Sequence, residues 1–88
     1  RPISSQILKI QLPNDTNFDK LFDNIFLKYT EISDLISVDS LKAGSLTELV
    51  YNIQLKKKTD KQEFISAIKA LNNNLAVSLL TGYNAVDL

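Results

Sequence analysis

The spacing of apolar residues along this chain switches repeatedly between two residues and about 3.6, and the order of those switches limits the fold more than any single motif. Leu8, Ile10 and Leu12 alternate with Lys9 and Gln11, the pattern of a strand with one buried face, and Pro13 stops it. Asn14-Asp15-Thr16-Asn17 then supplies side-chain acceptors suited to a helix start, with Asp15 and Asp19 placed well for the dipole. Phe18, Leu21, Phe22, Ile25 and Tyr29 recur at spacings of three and four, which predicts a first helix running to about Thr30.

After Glu31 the period returns to two. Ile36 and Val38 fall on one face of a second, less regular strand, with Leu35, Ser37 and Asp39 on the other. Ala43-Gly44-Ser45 is where the chain is expected to turn back, Gly44 and Ser45 forming the hairpin turn because Gly takes positive φ without a Cβ clash. Leu49, Tyr51, Ile53 and Leu55 alternate with Glu48, Val50, Asn52 and Gln54, the clearest strand signal in the sequence. Thr59-Asp60-Lys61-Gln62 has the form of a capping box, so a second helix is expected at once, burying Phe64, Ala67, Ile68 and Leu71. Asn72-Asn73-Asn74 ends it with a residue type that tolerates left-handed backbone. Leu75, Val77 and Leu79 alternate with Ala76 and Ser78 as strand four.

The predicted order is strand, helix, strand, strand, helix, strand. Right-handed crossovers then favour an α+β fold, a ferredoxin-like βαββαβ two-layer sandwich. Its antiparallel four-stranded sheet is ordered 4-1-3-2, with both helices on one face. The competing arrangement leaves the second strand mostly as loop, giving a three-stranded α+β unit. Residues 1–6 read as a linker or trimmed boundary, 7–80 as the domain and 81–88 as a tail. Eighty-eight residues are too few for two independent cores.

Composition removes several function classes. The sequence has no Cys and no His, which excludes thiol nucleophiles, disulfides, imidazole bases and the usual zinc sites. Ten basic and ten acidic residues cancel, so no net field attracts nucleic acid. The RNA-binding variant of this topology stacks bases on aromatic residues of its central strands, but Tyr51 is expected to face the helices and the first strand has no aromatic residue. No apolar run is long enough to span a bilayer. No Gly-rich phosphate cradle or nucleophile-and-base spacing appears, so no catalytic residue and no cofactor is expected.

Two clusters remain. Asp15, Asp19 and Asp23 would line one face of the first helix, but they lack the loop ligands of a cation site and read as helix-start carboxylates, so no metal is expected. Lys56, Lys57, Lys58 and Lys61 form the only charge run, a candidate contact for an anion or an anionic membrane surface. The plainer reading is a solvated turn whose charges also deter edge pairing.

The stretch Lys42 to Lys56, with Gly44, Ser45, Leu46, Glu48 and Leu49 leading into an alternating strand, resembles the cytosolic C-terminal domain of a family of bacterial multi-pass membrane proteins of unknown function. Genes for that family often lie near those of polyphosphate-polymerase-like or spore-coat-kinase-like proteins. Lys61-Gln62-Glu63-Phe64-Ile65 and Asn72-Asn73-Asn74-Leu75 resemble a second family block, with Asn73 where Gly is usual and Ala70 and Leu71 where arginines are common. The resemblance implies a parent tethered through a preceding membrane segment, with this domain at the cytoplasmic face of the bacterial cell membrane. The expected role is non-enzymatic regulation or interaction, through a homodimer or a docked partner. The alternative is an ACT-like sensor with a small-molecule ligand at a dimer interface.

Overall fold

A computed structural model describes residues 5–81. Of the expected linker 1–6 and tail 81–88, residues 1–4 and 82–88 lie outside the described residues, and Gln6 belongs to the first strand. The elements are β1 (Gln6–Pro13), α1 (Asp23–Tyr29), β2 (Thr30–Leu41), β3 (Leu46–Leu55), α2 (Lys61–Lys69) and β4 (Val77–Leu80), with a single 3₁₀ turn over Lys42–Gly44 between β2 and β3. The four strands form one antiparallel sheet in the order β2-β3-β1-β4. This is the expected α+β, ferredoxin-like two-layer arrangement, and β2 is a full strand of 12 residues, which removes the three-stranded alternative.

The period-two pattern explains the layering. Leu8, Ile10 and Leu12 of β1 and Leu49, Tyr51 and Ile53 of β3 point to one face, where they are buried against Phe22, Phe26 and Tyr29 from the α1 side and Phe64 and Ile68 of α2. Both helices therefore cover the same face. Val77 and Leu79 extend that face onto β4. Aromatic rings tie the layers: Phe26 meets Tyr51 edge-on at 4.8 Å between centroids, and Tyr29 meets Phe64 at 5.6 Å.

Several boundaries differ from the sequence expectation. The first helix begins at Asp23, without a side-chain cap, rather than in the Asn14–Asn17 cluster. Residues 14–22 run through turns in which Thr16 N–H donates to the Pro13 carbonyl and Leu21 N–H to that of Phe18. Asn17 Oδ1 accepts from the Asp19 amide, the local side-chain bonding by which Asn competes with helix formation. Turns with three-residue closure still carry Phe18, Leu21 and Phe22 onto the core, so the apolar spacing holds although most of the helix does not. Asp15 and Asp19 consequently lie outside the helix and share no helical face with Asp23.

At α2 the cap sits one residue later than the capping box requires. Asp60 Oδ1 accepts from the amides of Gln62 (2.9 Å) and Glu63 (3.2 Å), while Thr59 Oγ1 donates to the Tyr29 carbonyl. Along β2 the alternation is broken by a register shift between Leu35 and Ser37. Leu35 pairs with Tyr51 and Val38 with Leu49, so both belong to the helix-side face, with Ile36 as the extra residue. The expected face assignment of Leu35 and Ile36 is therefore corrected.

The end of α2 holds the other correction. Leu71, expected in the core, is 43% exposed, and the fully buried position belongs to Asn72. Asn73 and Asn74 take left-handed φ of 61° and 56°, as the sequence suggested, and turn the chain back. That turn aims the Asn72 amide inward, where Nδ2 donates to the carbonyls of Gln11 (3.0 Å) and Leu75 (3.2 Å). The side chain thus stitches the α2–β4 connection to β1. Asn72→Ala is expected to lower unfolding stability by about 1–3 kcal/mol, because buried acceptors lose their donor. Leu71→Ala should cost no more than about 0.5 kcal/mol. Urea denaturation of both variants checks this, and equal losses would contradict the assignment.

Candidate functional site

Three surface regions hold the residues with chemistry to offer. The first is the lysine run, which the structure divides. Lys56 is half-buried and its Nζ donates to the Leu27 carbonyl at 2.9 Å, satisfying one of the unpaired carbonyls at the end of α1. Its amide donates to the Tyr29 carbonyl at 2.9 Å. Lys57 and Lys58 are exposed in the turn, Lys58 with φ of 63°, and Lys61 opens α2. Lys61 also borders a cleft of about 510 Å³ between α2 and β4, floored by Ile65, Val77 and Leu79. Three of the four lysines thus face outward near one turn, while Lys56 fastens that turn to α1. No periodicity distinguishes such a fastening residue from its neighbours in a charge run.

Gly44 and Ser45 lie where the hairpin was expected. Gly44 has φ of 89°, and Ser45 bonds back to the Lys42 carbonyl through its amide (3.1 Å) and its Oγ (2.9 Å). Lys42 and Ala43 are left-handed as well, with φ of 52° and 55°, so three successive residues bend against the ordinary hand. The turn is structural and presents no cluster of functional groups.

The second region is β2. Among the described residues it is an edge strand, hydrogen-bonded to β3 on one side only. Seven helical residues of α1 rise about 10 Å, whereas twelve strand residues extend about 40 Å, so the helix shields only a fraction of β2. Leu35 and Val38, on the helix-side face, are exposed in consequence; Ile32, on the face away from the helices, and Ile36, the extra residue of the bulge, are exposed as well, Ile36 at 56%. Natural edges are usually shortened or loaded with lysine, and this one has no lysine before residue 42.

The third region is a cleft of about 220 Å³ between the 18–26 segment and the sheet. Phe18, Phe22 and Phe26 form one wall, Leu35 and Tyr51 contribute from the sheet, and the exposed Asp19 and Asp23 border it. Tyr51 is more than nine-tenths buried. Burial pushes its phenol above the ordinary value of 10.0, and the charge of Asp23 adds to the effect. Sequence reasoning placed Tyr51 inward correctly but had no signal for this cleft, because Phe18, Leu35 and Tyr51 meet only through the tertiary fold.

Among the described residues, no group of three or more carboxylates is placed to hold a metal ion, and no helix is long and apolar enough to cross a membrane. The chain matches no protein-family model, no curated protein and no solved structure.

Tyr29 links these regions. Its ring is buried, Lys28 Nζ lies 5.1 Å from the ring centroid, and its hydroxyl donates to Glu63 Oε2 at 2.6 Å. The bond to Glu63 raises the Tyr29 phenol above 10.0, with burial adding to it. Below pH 10 the phenol holds its proton whether the chain is folded or not. Above it, the unfolded chain releases the proton first, binds fewer protons, and so gains relative to the folded state. Urea denaturation from about pH 9 to 11 should show stability falling with pH, and falling less steeply in Tyr29→Phe. Parallel curves for the variant and the natural chain would refute the coupling.

Proposed function

We propose that this is a non-enzymatic interaction domain that works by extending its sheet along β2, with a second copy of the same chain as the first partner. The observation that carries the reading is the 12-residue edge strand with Ile32, Leu35, Ile36 and Val38 left uncovered. Strand addition supplies main-chain hydrogen bonds along the edge, and the apolar side chains supply the burial.

Charge limits the register. Glu31, Asp34 and Asp39 lie on β2, and carboxylates directly opposite one another would oppose association. A two-fold antiparallel pairing centred between Leu35 and Ile36 sets Asp34 against Ser37, Asp39 against Ile32 and Ser33 against Val38. In that register those three cross-strand pairs each keep to one face of the sheet, the bulge residue Ile36 lies at the centre, and no carboxylate meets another. The absence of His and Cys from the sequence supports the non-enzymatic reading.

The resemblance of residues 42–56 adds the setting: a regulatory domain at the cytoplasmic face of a bacterial membrane protein. Tethering copies in one membrane would raise their effective concentration and favour weak edge pairing.

Sedimentation equilibrium tests the pairing. The natural chain should form a dimer that the double substitution Ile36→Lys, Val38→Lys returns to monomer while leaving the far-ultraviolet circular dichroism unchanged. A natural chain that stays monomeric at every concentration reached, or a dimer that survives both lysines, would overturn it.

A further inference from the structure

We propose that the cleft between α2 and β4 seats an extended segment of a partner protein, added as a strand along β4, with apolar side chains at alternate positions and an acidic residue beside Lys61. The pairing of β4 with β1 fixes which main-chain groups are free. Gln11 N–H donates to the Ala76 carbonyl, and Ile10 opposes Val77, Lys9 opposes Ser78 and Leu8 opposes Leu79. Antiparallel ladders alternate hydrogen-bonded and non-hydrogen-bonded pairs, so Ser78 bonds to Lys9 whereas the amides and carbonyls of Val77 and Leu79 point away from β1. Among the described residues no other strand meets them. The same two residues send their side chains to the helix side. There, with Ile65 of α2, they floor a cleft of about 510 Å³, within the range of about 300–1,000 Å³ for binding pockets. A strand laid here finds both hydrogen bonds and apolar burial from one pair of residues.

Charge sets the chemistry of the partner. Lys61 lines the cleft, Lys57 and Lys58 are exposed in the turn just before it, and among the described residues no carboxylate lines it. The carboxylates nearest in sequence are engaged, Asp60 with the amides of Gln62 and Glu63, and Glu63 with the Tyr29 hydroxyl. The chain reverses between α2 and β4, which puts the Lys61 end of the helix toward the Thr81 end of the strand, and Thr81 also borders the cleft. An acidic residue at that end of the added segment meets the outward lysines of the 56–61 run, whereas a lysine there is repelled. Val77 and Leu79 alone are too few to hold a strand as long as β2, so the side chains in the cleft decide what is added. No residue of β2 lines this cleft, so binding here stands or falls separately from pairing along β2.

Amide nitrogen-15 spectra of the full chain at neutral pH, followed at Ile65, Val77 and Leu79, test the site. The probe is a six-residue peptide, acetylated and amidated, with aspartate first and last and valine alternating with threonine between. Saturable shifts are expected. The same peptide with lysine in place of both aspartates should bind at least tenfold more weakly, and so should the aspartate peptide N-methylated at its inner amides. Lys61→Glu puts a carboxylate at the first position of α2, where the helix dipole favours it, so the variant should fold like the natural chain. It should nonetheless bind the lysine peptide better than the aspartate one. The Ile36→Lys, Val38→Lys double variant should bind the aspartate peptide as the natural chain does. Absence of saturable shifts would overturn the proposal, whether residues 82–88 of the chain itself, a second copy or nothing at all fills the cleft. So would equal binding of the lysine or the N-methylated peptide, or an unchanged preference in Lys61→Glu.

Discussion

Tyr29 joins the two helices to each other and to the turn that leads into the second of them. Its ring packs on Phe64, its hydroxyl donates to Glu63, and its carbonyl accepts from the Lys56 amide and the Thr59 hydroxyl. One residue at the end of α1 therefore contacts α2 by side chain and the β3–α2 turn by main chain. β2 starts at the very next residue, with Thr30 Oγ1 donating to the Phe26 carbonyl at 2.7 Å. With no linker between helix and strand, the direction of β2 is set by where α1 stops. A helix one turn longer would carry the start of β2 away from its pairing of Thr30 with Leu55.

The strands were legible because the signal and the structure share a cause. Alternation in β1 and β3 reflects a sheet buried on one face, and the same residues line the core. The helix starts were less legible. At residues 14–22 the apolar spacing is met by successive tight turns, which present nearly the same face as a helix over so short a span. The Thr59 reading failed because Thr and Asp are both good caps, and the choice between them fell to the Tyr29 carbonyl lying 3.3 Å from the Thr59 hydroxyl. The exchange of Leu71 for Asn72 has a similar origin: carbonyls of β1 and the α2–β4 connection converge where a side chain with two donors is worth more than an aliphatic one.

What the sequence could not reveal was the mismatch of lengths. Period and composition locate β2 and α1, but only the assembled fold shows that a short helix leaves most of a long strand bare. Strand order makes β2 an edge, and the mismatch leaves its helix-side face open beside the cleft, where the 18–26 segment reaches the sheet at Ser33 and Leu35. Membrane tethering belongs to another category. It rests on the likeness of a hairpin and strand, Gly44 to Leu49 above all, and packing within this domain has no bearing on it.

The two margins of the sheet are unequal. On the far side β4 has only four residues, Val77 to Leu80, and its register with β1 spans Ile7 to Ile10. If β2 pairs with β2 of a second copy, as proposed, the joined sheet would have used both long margins and would keep the short β4 margin at either end. Fibre growth requires that every new unit bring a fresh acceptor of equal strength. In that arrangement the shortness of β4 would act as a stop against polymerisation, set by the length of a strand rather than by charge.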